Sequence, residues 1–288
     1  MLRPQREITV SARLIAPRQS LASCVRAYVT RNLVGWPPLP PAQRLNRFPA
    51  TVHCAIVWFI EGSAQIVEPA AERAALGPSR AIFGGPQTRP FTSYNPGSVH
   101  TFMVLFFPGA LHALAGIDVS RHVDRIVALD EVLDGAWLDL SRDVLAASDD
   151  AERVALIERF LAPRWHAARA SGMAKGGAVS GWANAFATYA AASGWGRSAR
   201  TLERRIKAWA GQPLRSLRRL SRVEQSVVEA RVAGEIGPVP WAQVAASGGF
   251  ADQAHLCRAV REVTGHSPAE LARKTHTDES YWVYRIWS

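Results

Sequence analysis

Cysteine is scarce in this chain of 288 residues: Cys24, Cys54 and Cys257 lie far apart and form no C-x-x-C pair. That spacing argues against a disulfide framework and against a thiol-rich zinc site, and it suits a reducing cytoplasm. Long apolar runs are missing too. The longest, Cys54 to Ile60, is far too short to span a bilayer, and the opening MLRPQREITVSARL has no apolar stretch of signal-peptide length. Neither a membrane nor export is expected. No H-x-H with a downstream Glu occurs and no nucleophile-base pair can be read from spacing, so the expectation is no metal, no cofactor and no enzymatic activity.

What the chain does have is positive charge, +10 in total, and it is unevenly spread. Residues 172–288 hold sixteen Lys or Arg against nine Asp or Glu, while the longer remainder holds eighteen against fifteen. Between Arg197 and Arg222 nine basic residues face a single acid, Glu203. Such an excess suits phosphate neutralisation, although charge alone describes a solvated basic face equally well. The length allows about two domains, each with its own core.

From Thr51 to Phe107 short apolar runs alternate with turn residues: VHCAIVWFI, EGSAQIV, AIFGGP, YNPGS and VHTFMVLFF. This is the pattern of a curled antiparallel sheet. Apolar spacing then turns helical around Trp137 to Leu145, and again after Asp150, which can cap a helix presenting Val154, Ile157, Phe160 and Leu161 on one face. The Gly-rich stretch ARASGMAKGGAVSG, residues 168–181, reads as a linker. The expected fold class is α+β with two domains: residues 1–167 a β-roll followed by helices, residues 182–288 all helical.

Residues 181–274 contain an internal repeat with an offset of 54. Ala191-Ala192-Ser193-Gly194 recurs as Ala245-Ala246-Ser247-Gly248, and Ser198 and Asp252 stand as N-caps of the helices that follow. Leu202 matches Leu256, Arg204 matches Arg258, Ile206 matches Val260, Lys207 matches Arg261, and Gly211 and Gly265 end the two units. Each unit is helix, tight turn, helix. Leu202, Ile206 and Trp209 form one apolar stripe and Leu256, Val260 and Val263 the other. Arg200, Glu203 and Arg204 in the first unit, and Gln253, His255 and Arg258 in the second, are left near the N-terminus of the free face. Arg pairs with guanine, Gln with adenine and Glu with cytosine, so these six are candidate base readers. Between the units Leu214 to Ala233 reads as one helix of roughly 30 Å, close to one turn of DNA. It would present the two recognition helices to successive major grooves of double-stranded DNA.

GRSARTLERRIKAWAGQPLRSLRRLSRVE and GGFADQAHLCRAVREVTGHSPAEL resemble the two halves of an AraC/XylS-type DNA-binding domain. The run Gly249-Phe250-Ala251-Asp252-Gln253, with Arg258 and then Gly265-His266-Ser267-Pro268, is similar to the signature of that family's second unit. Val260, where the family usually has Phe, and the Gly194-Trp195-Gly196 turn depart from the pattern. The resemblance implies base contacts at Arg200, Glu203, Arg204, Gln253 and Arg258. Arg197, Ser198, Arg205, Lys207 and Arg261 are assigned to phosphates, and His255 is added as a base reader on helix geometry.

RFPATVHCAIVWFIEGSAQI, GPQTRPF and FFPGALHALAGI are similar to the cupin-like sensor domains of AraC-type regulators. That similarity implies a small-molecule effector inside the β-roll and a homodimer through the helices after it. His53, His100 and Phe102 are the pocket candidates. Two alternatives stay open: an N-terminal domain that serves only dimerisation or contact with RNA polymerase, and a cupin enzyme fused to a DNA-binding tail. The aromatic tail ESYWVYRIWS, residues 279–288, is expected to cover a core or to meet another subunit.

Overall fold

The computed structural model describes residues 12–68, 74–75, 79–170, 199–236 and 239–286. Among the described residues ten strands form two antiparallel sheets. The larger contains β1 (Ala12–Ile15), β2 (Val25–Asn32), β4 (Cys54–Glu61), β7 (Ala81–Gly84), β9 (His100–Phe106) and β10 (Ile126–Ala128), in the order β1-β2-β9-β4-β7-β10. The smaller contains β3 (Leu45–Phe48), β5 (Gln65–Glu68), β6 (Ala74–Ala75) and β8 (Phe91–Tyr94), in the order β3-β8-β5-β6. The alternation read from Thr51 onward overlooked β1, β2 and β3, and β2 is a central strand paired with β1 and β9.

The large sheet is covered on both faces, so both alternating sets of side chains are apolar. Ile56, Trp58, Phe102, Val104 and Phe106 turn one way and are buried under helices. These are α1 (Ala110–Ala115), α2 (Ala136–Ala146) and α3 (Asp150–Ala170). Each such side chain, fully removed from water, contributes about 1.5–3 kcal/mol. Trp58 donates its indole N–H to Ser141 Oγ at 2.9 Å, which fixes α2 on the sheet. Asp149 caps α3, accepting from the Glu152 N–H at 2.8 Å, whereas Asp150, the expected cap, lies inside the helix and pairs with Arg153 and His100. Helix α3 runs to Ala170, so the expected linker opens in its last turn; residues 171–181 lie outside the described set.

The C-terminal part is helical among the described residues: α4 (Ala199–Ala210), α5 (Leu214–Ile236), α6 (Trp241–Ser247), α7 (Gln253–Thr264), α8 (Pro268–Thr277) and α9 (Trp282–Ile286). The tail residues Tyr281, Trp282, Val283, Tyr284 and Ile286 are buried. They pack on α8 and also cross to β1 and β3 of the N-terminal part, a reach that their composition did not disclose. Trp287 and Ser288 lie outside the described residues.

Candidate nucleic-acid interface and effector cavity

The second helix-turn-helix is built from α6, a turn through Gly248, Gly249 and Phe250, and α7. Gly249 takes φ +69°, and Phe250, buried, donates its N–H to Ala245 O at 2.9 Å. Asp252 caps α7 by accepting from the His255 N–H at 2.6 Å, which satisfies an end N–H that the helix cannot. Leu256, Val260 and Val263 are buried, so the expected stripe faces inward. Gln253, Arg258 and Arg261 are exposed on the opposite side. His255 is drawn back instead: its ring meets Phe250 edge-on at 5.3 Å and its Nδ1 accepts from the Ala251 N–H at 3.4 Å. It closes the turn and does not project beside Gln253.

In the first unit the turn and the cap, including Arg197 and Ser198, lie outside the described residues. Along α4, Ile206 is buried, Arg200, Arg204 and Lys207 are exposed, and Glu203 is half-buried. Arg205 lies over the Trp209 ring at 5.7 Å. Trp209, expected to pack only within its own unit, stacks on His112 of the N-terminal part with ring centres 5.5 Å apart. Gly211 ends α4 at φ +76°, donating its N–H to Lys207 O at 2.7 Å, as Gly265 ends α7 at φ +81° and donates to Arg261 O at 2.8 Å. A β-carbon on Gly211 would come within 2.9 Å of Val123 Cγ2 and 3.1 Å of Pro86 Cγ.

Helix α5 has 23 residues and is about 34 Å long. It is tied to the second turn by Arg222, which donates to Gly249 O at 3.1 Å and lies 5.2 Å from the centre of the Phe250 ring. It is tied to α7 by the Arg219–Glu262 ion pair. These arginines, read from the sequence only as part of a basic run, brace the scaffold.

A cavity of about 170 Å³ lies between the two sheets. Its apolar wall includes Phe48, Val57, Phe59, Met103 and Leu105, and it is closed by Val283 and Ile286 of α9. Of the three expected pocket residues only His53 lines it. Burial pushes the His53 imidazole down to about 4, and its Nδ1 is 3.2 Å from Phe106 O. Phe102 belongs to the opposite face of its strand, packed with Tyr28 and Trp58 under the helices. His100, at the strand's start, pairs with Asp150 at 3.4 Å away from the cavity. Both faces of this sheet are apolar, so alternation alone could not say which set was which.

Three cavity residues went unnoticed: Arg31, Asn46 and Trp282. Arg31 is only 2 % exposed; burial pushes its guanidinium down to about 10, against the pull of Glu279. It bonds Asn46 Oδ1, pairs with Glu279 at 3.5 Å and lies 4.8 Å from the centre of the Trp282 ring. Trp282 donates its indole N–H to the same Asn46 oxygen at 2.9 Å. A cation in the otherwise apolar run around Val29 was the available signal for Arg31.

Residues 191–274 match the model of a family described as a helix-turn-helix domain, and residues 13–128 match one described as a domain of unknown function. No curated protein matches the sequence. Among solved structures, ToxT from Vibrio cholerae is similar at 10% identity and a TM-score of 0.41, over 84% of this chain and 97% of that one. ToxT bound to (E)-4-(8-methylnaphthalen-1-yl)but-3-enoic acid matches at 9% identity and 0.41, over 87% and 97%. Unsaturated fatty acid bound ToxT matches at 13% and 0.36, over 81% and 94%.

Proposed function

We propose that the chain is a DNA-binding transcription regulator with an AraC-type helix-turn-helix domain at its C-terminal end, and that a small molecule held in the β-roll sets its grip on DNA. The observation that carries this reading is the shared wall of the cavity: β-roll side chains form its sides, and α9 of the DNA-binding part closes it. A ligand there touches both parts at once, so it has a means of binding one arrangement of them better than another.

On DNA, Arg200, Arg204, Gln253 and Arg258 are the base readers, and Lys207 and Arg261 neutralise phosphates. Arg197, Ser198 and Arg205 keep their assigned phosphate role and Glu203 its base role, while His255 leaves the set. The proposed domain limits are 1–167, 168–181 and 182–288, with the first three linker residues, 168–170, forming the end of α3. A homodimer through the outer side of α2 and α3, and a contact with RNA polymerase, complete the same reading.

Selection of binding sites from random duplex DNA, followed by titration of the selected site, tests the DNA half. A protein with no sequence preference at moderate salt would sink it. For the effector half, a metabolite library is screened by thermal shift, since a ligand of the folded state stabilises by mass action. Hits are then added to the DNA titration. Hits that leave the DNA affinity unchanged favour the second reading, an N-terminal part serving only assembly.

A further inference from the structure

Taking as given that the β-roll cavity holds the effector, its walls also say what kind of molecule enters. The space, about 170 Å³, lies below the usual range of drug-sized sites, roughly 300–1,000 Å³. It compares with a dry engineered cavity of about 150 Å³ that takes benzene.

Three of the polar side chains on the cavity, Asn46, Asn95 and Gln87, already donate to the protein. Asn46 Nδ2 donates to Ser93 Oγ at 3.1 Å and to Asn95 Oδ1 at 2.6 Å. Asn95 Nδ2 donates to Ser63 O at 2.9 Å, and Gln87 Nε2 donates to Gly85 O at 2.9 Å. A sugar or other polyol would bury hydroxyls with few groups left to receive them, at a cost for each.

Charge is settled in the same way. The buried Arg31 guanidinium has Glu279 as its counter-ion, shared with the more exposed Arg285, and has Asn46 as an acceptor and the Trp282 ring against its face. Only its Nε lacks a hydrogen-bond partner. That leaves the Nε–H for an acceptor oxygen, and a neutral acceptor is favoured over a carboxylate because an anion at Arg31 would compete with the Glu279 carboxylate already 3.5 Å from it.

We infer that the cavity takes a small, neutral, largely apolar molecule bearing an acceptor oxygen for Arg31, seated between the β-roll and α9. Glu279, carried by the DNA-binding part, is the residue that sets this preference, by occupying the anion position at Arg31. Occupancy is felt directly at Val283 and Ile286, and so by the segment that joins the tail to α8.

The test compares two probes of nearly the same shape, acetophenone and benzoate, by isothermal calorimetry on the full chain. Acetophenone is expected to bind at least about tenfold more tightly than benzoate to the natural protein, and Glu279→Gln to raise benzoate affinity by about tenfold. Ala55→Leu, which narrows the cavity, should weaken both. Benzoate binding as tightly as acetophenone to the natural chain, or no binding of either, overturns the inference. The natural-chain comparison requires no variant to fold. A parallel DNA titration separates the two levels: acetophenone that binds without altering DNA affinity leaves the ligand class standing and removes the effector role, whereas benzoate that binds and alters DNA affinity does the reverse.

Discussion

The two recognition helices carry matching charges in different surroundings. Arg204 and Lys207 on α4 stand where Arg258 and Arg261 stand on α7, and both helices end on a left-handed glycine. The second is held by its own domain: Asp252 caps it, Phe250 plugs its turn and Arg222 braces that turn from α5. The first is also held from outside, by His112 against Trp209 and by Val123 and Pro86 around Gly211. Two matched charges thus leave room for unequal control. The β-roll side grips the first unit at the end of its helix α4, and meets the second unit through Ala50, whose N–H donates to Val263 O, and through the tail.

The largest expected effect falls on the second unit alone. Phe250→Ala empties the buried plug of its turn and should cost about 3–5 kcal/mol in denaturant unfolding. Hydrogen exchange should show α6 and α7 loosened and α4 unchanged. Equal loosening of both would mean that the units are one cooperative block.

Acid should strike both units together. His53 lies under α5, where Glu224 and Arg26 are the charges that act on it; burial, helped by Arg26, outweighs Glu224 and the Phe106 carbonyl to hold it at about 4 against an ordinary 6.5. A folded-state value below the unfolded one means that unfolding takes up a proton between the two. Stability therefore falls as pH drops from about 6.5 to about 4, by up to about 3 kcal/mol. Urea midpoints across that window measure it, and His53→Gln should flatten the profile.

Smaller effects compare the DNA-facing sides directly. Arg204→Ala and Arg258→Ala should each cost about 1–3 kcal/mol on the selected site and relax one base pair apiece, read by competition with mutated duplexes. Uniform weakening would move either residue to a phosphate. Lys207→Ala should reduce the slope of log K against log salt by about one, with Arg261→Ala doing the same. An unchanged slope for Lys207 alone would mean that the pinned helix does not sit in its groove.

Much of the helical half was readable because its signals are local. A cap such as Asp252 acts three residues on, and an ending glycine such as Gly265 acts on the helix just behind it. The spacer between the units was read three residues short at its C-terminal end, ending at Ala233 where the helix continues to Ile236. The cavity resisted sequence reading because its parts come from opposite ends of the chain. Arg31 and Glu279 are 248 residues apart, and Asn46 and Trp282 are separated by 236. Within the sheet, period-two alternation separated Met103 from Phe102 but gave no sidedness, since both are apolar and both face a core. His100 looked like a pocket residue only while the position of Asp150 at its side was unknown.

The spacer helix also constrains the operator. Twenty-three residues of continuous helix neither stretch nor twist easily, so the separation of the two recognition elements is set by the protein and not negotiated on the DNA. On the proposed reading, an operator carries its two half-words about ten base pairs apart. Inserting a single base pair between them would rotate one word by roughly a tenth of a turn and leave the reader out of phase.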